Sequence, residues 1–512
     1  RYDCIINDYC ESTMKNRSRN RLMLPLAALL VLLAAWLVLR QLAVLPGEDG
    51  LVSNRKIPAA YRGPTNAIAV LPFRDASQEP DHGWLAQGLA RELILRLSAN
   101  PSVQVTAPVS AFFFEGGEGN PDVIAQRLQV TWLLWADVEI RGESVVVSAH
   151  LYNARRKSVA WQGALESRME QAPGLVSELL SSVLPKMGRE PMVVEDPWVG
   201  HALAWQRYLQ GRYLLGPPAM GAAEDVEALI RSALELQAGA AVAWEALAEA
   251  FLARSPPELE NAEAALYRAF EADPQSPDAL GLLSYMQRFY AWDWQAAVES
   301  ALLAVETRPG DARLLSLASR ALFSAGRFEE AQRHMRESIT RDPLNLASRL
   351  SLGLAQEFGG ELDAALTTYR LLIGLNPDFP AAHAFRARIK VLQENPQSAL
   401  KESESEPDPF WADYAHALAL LAGDDTENGS ILVGQIAENH GDTAAFHLAE
   451  VAAYSGDIDA SFDWLARAWA QKDGGLAGLT GNRLLENLHG DPRWALLLTQ
   501  LGLTLDGNDS VD

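Results

Sequence analysis

Residues 308–343 read RPGDARLLSLASRALFSAGRFEEAQRHMRESITRDP, a stretch that begins and ends with a charged residue followed by proline. Similar dipeptides recur at intervals of 35, 34 and 34 residues, namely Asp273-Pro274, Arg308-Pro309, Asp342-Pro343 and Asn376-Pro377. Proline ends a helix because it lacks an amide donor and its ring clashes with the preceding turn. Proline at a fixed period near 34 therefore indicates a solenoid of helix hairpins, a class that binds other molecules more often than it catalyses reactions.

Small residues recur at matching positions of successive repeats, namely Gly326 and Ala331 in one, and Gly360 and Ala365 in the next. Two antiparallel helices can approach closely where their side chains are small. This pattern resembles that of the tetratricopeptide (TPR) repeat. The resemblance implies an all-α TPR superhelical solenoid over residues 197–505, made of about eight hairpins and closed by a C-terminal capping helix.

A different pattern occupies residues 66–164. The segment 67–73 is an apolar run that fits a buried strand, and residues 83–98 carry an apolar stripe that predicts an amphipathic helix. Alternating residues and tight turns after the second helix predict three consecutive strands. The predicted order is βαβαβββ, an α/β module, followed by a connecting helix and linker over residues 165–196.

The strings IAVLPF and LAQGLARELILRL in this segment resemble the small α/β module of many bacterial sensor proteins. The matching positions are Leu71, Pro72, Phe73, Gly88, Leu89, Glu92 and Leu93. The module is similar to the amino-terminal domain of the Tol system's β-propeller protein and to a flagellar outer-membrane-associated domain. In that family it stands between a transmembrane helix and a TPR array, as in the periplasmic part of membrane-bound transcriptional regulators and of TPR-containing adenylate cyclases. We expect their cytoplasmic output domain to be lacking, because few residues separate Met14 from the apolar run described next.

Residues 22–39 read LMLPLAALLVLLAAWLVL, eighteen residues without a charge, which just span a bilayer. Basic residues precede this run and acidic residues follow it, so the positive-inside rule places the N-terminus in the cytoplasm. We predict a cytoplasmic stub over 1–21, a single-pass helix in the bacterial inner membrane over 22–44, a linker over 45–65 and a periplasmic bulk. A cleaved signal peptide is the alternative.

Composition narrows the range of functions. A formal net charge of −23 argues against nucleic acid, whose phosphates require a basic face. The two cysteines, Cys4 and Cys10, leave no thiol site in the bulk of the chain, and His440 with His447 lacks a third metal ligand. No catalytic or phosphate-binding motif occurs. We therefore predict no catalytic residue, no cofactor and no metal, and an acidic tail over residues 506–512.

In TPR repeats the first helix of each hairpin faces a concave groove. The positions that the resemblance assigns to this groove are Glu245, Tyr285, Arg288, Arg313, Arg320, Phe323 and Leu350. Three arginines in so acidic a chain suggest a clamp for carboxylates or acidic peptides, because the guanidinium fork pairs with carboxylates in a bidentate way. Alternatively, these arginines balance acids of neighbouring hairpins.

These patterns predict a non-enzymatic scaffold or adaptor that is anchored in the inner membrane and docks protein or peptide partners on its concave face, with self-association as a further option. The alternative is a signal-transduction component, a sensor that relays an envelope signal to a separate cytoplasmic partner.

Overall fold

The computed structural model describes residues 64–77, 82–114, 119–190, 198, 200–216, 222–423 and 425–503. The predicted stub, membrane helix and acidic tail, and most of the predicted linker, lie outside these residues. Among the helices that the structure describes, none combines the length and the apolar character that a membrane span needs.

The N-terminal module is built on one mixed β-sheet. Its strands are β1 (Ala67–Val70), β2 (Arg74–Asp75), β3 (Gln104–Val105), β4 (Trp132–Arg141), β5 (Ser144–Asn153) and β6 (Ser158–Arg168). The order across the sheet is β3-β1-β4-β5-β6, and β2 also pairs with β4. Strand β1 is parallel to β3 and β4, whereas β4, β5 and β6 form an antiparallel meander.

Four helices in the described part of the chain belong to the module. They are α1 (Gly83–Ser98), α2 (Pro108–Ala111), α3 (Pro121–Leu128) and α4 (Leu175–Val183). The predicted order lacked β2 and α2, because both are too short to produce a periodic pattern. Strand β6 continues past the predicted module end at residue 164, because it pairs with β5 as far as the Ser144–Arg168 pair. Helix α4, which was predicted as a connection, packs against β6 and α1 and is part of the module's core.

Eight helix hairpins follow in the described part of the chain. Their helices are α5 (Ala202–Leu214), α6 (Ala223–Leu236), α7 (Ala241–Leu252), α8 (Leu259–Ala272), α9 (Pro277–Met286), α10 (Trp294–Thr307), α11 (Ala312–Ser324), α12 (Phe328–Arg341), α13 (Leu346–Phe358), α14 (Leu362–Leu375), α15 (Ala382–Leu392), α16 (Pro396–Ser403), α17 (Pro409–Ala422), α18 (Thr426–His440), α19 (Ala445–Tyr454) and α20 (Ile458–Gln471). Consecutive helices pair as the hairpins, in order. We call the face formed by the first helix of each hairpin the inner face.

The recurring prolines stand just after the second helices of hairpins two to five. The residue before each proline ends its helix with an extended φ, between −134° and −146°, at Asp273, Arg308, Asp342 and Asn376. Proline imposes this conformation because its ring clashes with the preceding residue in the helical region. The period in the sequence is thus the period of the helix ends.

Tight turns within the hairpins require a left-handed residue. Gly326 and Gly360 supply it in hairpins four and five, with φ of +75° and +84°. In hairpin three Trp292 takes this conformation one residue further along the repeat, with φ of +59°. A π-helical turn, Gln287–Ala291, absorbs the extra residue and accounts for the interval of 35.

Helix α1 is buried on both sides and joins the module to the array. One side packs against the sheet and α4, and the other packs against α5 of the first hairpin. Gly88 permits this approach, because a Cβ atom there would lie 2.8 Å from Leu209 Cδ1. A single hydrophobic cluster therefore runs from Ile68 in the sheet through Leu89 to Leu314 in α11.

A second contact joins the module to the turn after α12. The Ala107 amide donates to the Arg341 carbonyl at 2.8 Å, and Ser110 Oγ donates to Asp342 Oδ1 at 2.5 Å. Both Ser110 and Asp342 are buried. The module is thus fixed to the array through this turn as well as through α1.

The C-terminal cap covers the last hairpin and also returns to the middle of the array. It consists of two 3-10 segments, Gly474–Gly481 and Arg483–Leu488, and α21 (Pro492–Gln500). Lys472 Nζ donates to the Tyr290 carbonyl at 2.6 Å. Gly478 packs on Phe358, whose ring lies 2.6 Å from where a Cβ would stand. Two segments of the chain therefore contact the inner face: α1 at the first hairpin, and the C-terminal segment at the middle of the array.

We predict that Gly310→Ala loosens the module. A Cβ atom at Gly310 would lie 2.5 Å from the Ser98 carbonyl oxygen, so the module's backbone must move. Amides of residues 104–111 should exchange with solvent about five- to tenfold faster, in line with the loss of a hydrogen bond, as measured by hydrogen-exchange mass spectrometry. Gly374→Ala is the control, because the space around Gly374 is open. Equal exchange in the two variants would contradict the contact.

Candidate binding site between the module and the array

A cavity of about 460 Å³ lies between α1 and the inner face of the first four hairpins. Helix α1 contributes Trp84, Arg91 and Leu95, and helices α5, α7, α9 and α11 contribute the opposite wall. The volume falls within the range of roughly 300–1,000 Å³ that is usual for small-molecule sites. The lining mixes apolar side chains with a concentration of charged ones.

Three of the seven predicted groove residues line this cavity: Glu245, Arg313 and Arg320. Arg288 lies directly behind Arg320, because its Nε donates to the Arg320 carbonyl at 3.1 Å. The Tyr285 hydroxyl is close enough to both arginines to interact with them electrostatically. Five of the predicted residues therefore lie in one region of the inner face.

The other two predicted residues lie elsewhere. The Phe323 ring packs edge-on against Phe328 at 5.4 Å and against Phe358 at 5.3 Å between ring centres, in the region that the cap contacts. Leu350 packs against the hydrophobic cluster that contains Tyr369 and Phe385. Neither residue lines the cavity.

Asp278, at the start of α9, is the central acid of the cavity wall. Arg308 Nη1 lies 2.7 Å from Asp278 Oδ2, and Arg313 pairs with the other carboxylate oxygen. Burial alone would raise the pKa of Asp278, but Arg308 and Arg313 outweigh it and hold the pKa at about 2. Arg313 thus balances an acid of the neighbouring hairpin, as the second interpretation of the groove arginines states.

Glu245 has the opposite environment. It is buried and accepts a hydrogen bond from Ser276 Oγ. Burial, together with repulsion from the nearby Asp278 carboxylate, raises the pKa of Glu245 to about 8. The surroundings of Glu245 therefore favour its neutral, protonated form.

Two further arginines of the cavity were missed from the sequence. Arg91 belongs to α1, and Arg212 belongs to α5, where it pairs with Glu249. Neither helix has the repeat pattern that located the groove residues. Only the packing of α1 against the array brings these side chains to the same space.

A second polar cluster was also missed, and it lies in the C-terminal half of the array. Arg388 is 2% exposed, and its Nε donates to Glu357 Oε1 at 2.6 Å while Nη1 lies 3.4 Å from Glu450 Oε1. Tyr369 donates to Glu357 at 2.9 Å, and Tyr414 donates to Glu450 at 2.8 Å. These groups belong to hairpins five to eight, so the cluster links four consecutive hairpins.

Glu450 is the fully buried end of this Arg388 cluster. His447 Nδ1 lies 2.7 Å from Glu450 Oε2, and Asn482 of the cap donates to Oε1 at 2.5 Å. Burial raises the pKa of Glu450, but His447 and Arg388 outweigh it, so the pKa lies below its usual value. A single acid in the apolar run AFHLAEVAAY was the sequence signal, because a lone charge on such a helix needs a buried partner.

Comparison with known proteins agrees with the hairpin fold. Residues 322–389 match the tetratricopeptide repeat family. The chain therefore contains TPR repeats and folds as a TPR-like solenoid with a small N-terminal sheet region.

Similarity to individual proteins is distant. A putative adenylate cyclase 3 of Rhizobium meliloti (strain 1021) is 23% identical over 118 residues, which are 23% of this chain and 20% of that protein. The match thus spans about a fifth of that relative's length. Among solved structures, Pseudomonas aeruginosa pilF is 20% identical, with 39% of this chain and 90% of that chain covered at a TM-score of 0.33. YrrB, described as a TPR protein with an unusual peptide-binding site, is 19% identical, with 36% and 96% covered at a TM-score of 0.32.

We predict that Glu245→Gln changes the pH dependence of stability. The folded pKa of Glu245 is about 8 and the ordinary value is 4.5, so protonation favours folding below the ordinary value, and this contribution is lost as the pH rises toward 8. Glutamine keeps the shape and cannot ionise. Between about pH 5 and 8 the variant should gain stability over the native chain, by up to about 1.4 kcal/mol per pH unit in urea unfolding. The exposed Glu271→Gln should show a difference that does not vary with pH.

Arg388→Met should destabilise the C-terminal hairpins by about 3–5 kcal/mol, because it leaves buried Glu357 without a cation and buried Glu450 with His447 alone. Chemical unfolding followed by circular dichroism measures the loss. Adding Glu357→Gln and Glu450→Gln should restore most of it, since no buried charge then remains unpaired. Arg493→Met, at an ion pair whose arginine is 44% exposed, should cost less than about 1 kcal/mol. A similar loss at both arginines would contradict the role of burial.

Proposed function

We propose that this chain is a non-enzymatic protein-interaction component, a scaffold or adaptor that residues 22–44 anchor in the bacterial inner membrane with its bulk in the periplasm. Partners dock on the inner face of the TPR array. TPR repeats mediate protein–protein interactions, which supports the general class.

One observation carries the proposal: the inner face already holds a folded protein module. Helix α1 packs on α5, and the turn after α12 bonds to the module through Ala107 and Ser110. A surface that seats a folded module by both apolar and polar contacts has the complementarity that partner docking requires. The chain's own module is the first occupant of this surface.

The seated module limits how a partner reaches the array. A partner that uses the inner face of the first four hairpins must compete with α1 for the same surface. Docking is therefore coupled to the release of the module, and a variant with a looser module should bind the partner more readily.

Photo-crosslinking in intact cells tests this coupling on the full chain. A photoreactive residue at Ser316, which lines the cavity in α11, reports on the inner face, and one at Tyr267, which is 51% exposed on α8, reports on another surface. We expect Gly310→Ala to raise the yield of partner crosslinks from Ser316 several-fold and to leave Tyr267 unchanged. Docking on this face would be contradicted if the yield of partner crosslinks were the same in the native protein and in Gly310→Ala. It would also be contradicted if Ser316 formed crosslinks only to α1 in both proteins.

A sensor is the second candidate, and the shared core of the module and the array favours it. Because one hydrophobic cluster runs through both, a change in the module alters the packing of the array. The relative named as a putative adenylate cyclase agrees with a signalling role, although only a fifth of it is covered. Replacing residues 1–21 with a basic tag that has no function of its own distinguishes a scaffold from a sensor. A scaffold keeps its partner crosslinks and its cellular effect, whereas a sensor keeps the crosslinks and loses the effect.

A further inference from the structure

The cavity between α1 and the array contains two arginines that lack an acidic partner. Arg91 and Arg320 both line it, and no carboxylate within the described ranges lies at ion-pair distance from either. Arg320 Nε is buried without a hydrogen-bond partner. Arg91 stacks over the Phe112 ring at 5.0 Å, a contact that leaves its guanidinium hydrogens free for another acceptor.

A third arginine increases the positive charge behind Arg320. Arg288 Nε donates to the Arg320 carbonyl and, at 2.7 Å, to Ser324 Oγ, and neither of these acceptors carries a charge. Burial, and then repulsion from Arg320, lowers the pKa of Arg288 to about 9, and burial with the nearby Arg212 lowers the pKa of Arg91 to about 10. Both groups remain protonated near neutral pH.

These arginines stand out because the other two arginines that line the cavity are paired with acids. Arg212 pairs with Glu249, and Arg313 pairs with Asp278. The cavity acids are engaged as well. Asp278 pairs with Arg308 and Arg313, Asp311 with Arg308 at 3.4 Å and Glu92 with Arg96 at 3.7 Å. Glu245 and Asp342 accept hydrogen bonds from the neutral hydroxyls of Ser276 and Ser110. A partly buried cation without a partner costs free energy, so a protein retains one where an anion binds.

Apolar side chains form much of the remaining lining, beside polar ones such as Gln87 and Ser316. Trp84, Ile94 and Leu95 of α1 face Leu209 and Leu317 of the array across the space. A ligand that satisfies this wall has a hydrocarbon or aromatic body and one anionic group. At about 460 Å³ the cavity accommodates a molecule of drug-like size and not a folded partner.

We propose that this cavity binds a small organic acid, whose carboxylate pairs with the Arg320 guanidinium and whose apolar body lies against α1. Arg288 strengthens the pairing from behind, and Arg91 provides the second positive group at the α1 side. The ligand contacts the module and the array together, so it stabilises the seated module. This site does not depend on the docking of protein partners.

Titration of the purified full chain in detergent micelles tests the proposal. The probes are straight-chain and aromatic monocarboxylic acids, each matched by its primary amide, with binding followed by calorimetry and by the unfolding temperature. We expect several acids to bind saturably and to raise the unfolding temperature, and their amides to bind at least tenfold more weakly. Amides that bind as well as the acids, or a panel without any saturable binding, would overturn the proposal.

Variants locate the site. Arg320→Met should weaken acid binding at least tenfold, Arg320→Lys should restore part of it, and Arg333→Met, whose side chain is 64% exposed, should leave it unchanged. The unfolding temperature of Arg320→Met without ligand should not fall, because the substitution removes a cation that has no partner. If that variant does not fold, Arg91→Met gives the same test from the α1 side.

Two further outcomes test where the acid binds and which kind of molecule carries its carboxylate. Binding that persists within twofold in both Arg320→Met and Arg91→Met would overturn the site. Short peptides with a free C-terminal carboxylate and their amidated forms are added to the panel, and a response to the peptides without one to the small acids would overturn the assignment to small acids. Partner crosslinks from Ser316 are measured separately, so either proposal can fail alone.

Discussion

The double-sided burial of α1 is the constraint on which the rest of this structure depends. Its one face completes the core of a six-stranded sheet, and its other face completes the first hairpin of the array. Helix α1 shares the cover of the sheet with α4, and it also covers the first hairpin, whose apolar side chains would otherwise be exposed at the end of the array. Gly88 and Gly310 keep the two backbones close enough for this arrangement. The module therefore acts as the N-terminal cap of the array as well as a domain in its own right.

Beside its apolar contacts with α1 and the cap, the inner face of the array carries two clusters of charged side chains, which are organised in different ways. Around Arg388 every carboxylate has a cation or a hydroxyl beside it, so the cluster fixes hairpins five to eight in one arrangement. Around Arg320 the positive charges are not paired with acids, since Arg91, Arg288 and Arg320 have no acidic partner in the part of the chain that the structure describes. The first cluster contributes to the fold, and the second has the unsatisfied charge expected of a binding site.

Much of the solenoid could be predicted from the sequence, because the determinants are local. The proline period reflects helix ends that the steric clash before proline imposes, and Gly326 and Gly360 occupy turns that need a positive φ. Five of the seven groove residues lie in one region for the same reason, since a helix position within a repeat determines its face. Phe323 and Leu350 share the periodic position but not the site, because the cap and a neighbouring hydrophobic cluster surround them.

The sequence by itself determined the helix hairpins, their order and the small sheet at the N-terminal end, since these follow from periodicity and turn chemistry within a few dozen residues. Only the tertiary structure decided that α1 lies against the array and that the segment after α20 returns to its middle. It also decided that the pKa of Glu245 is raised while that of Asp278 is lowered, and that Arg320 has no acid at ion-pair distance among the described residues. These properties depend on which side chains meet across more than a hundred residues of chain. Burial and the distances between charges determine these properties, and neither quantity produces a periodic pattern in the sequence.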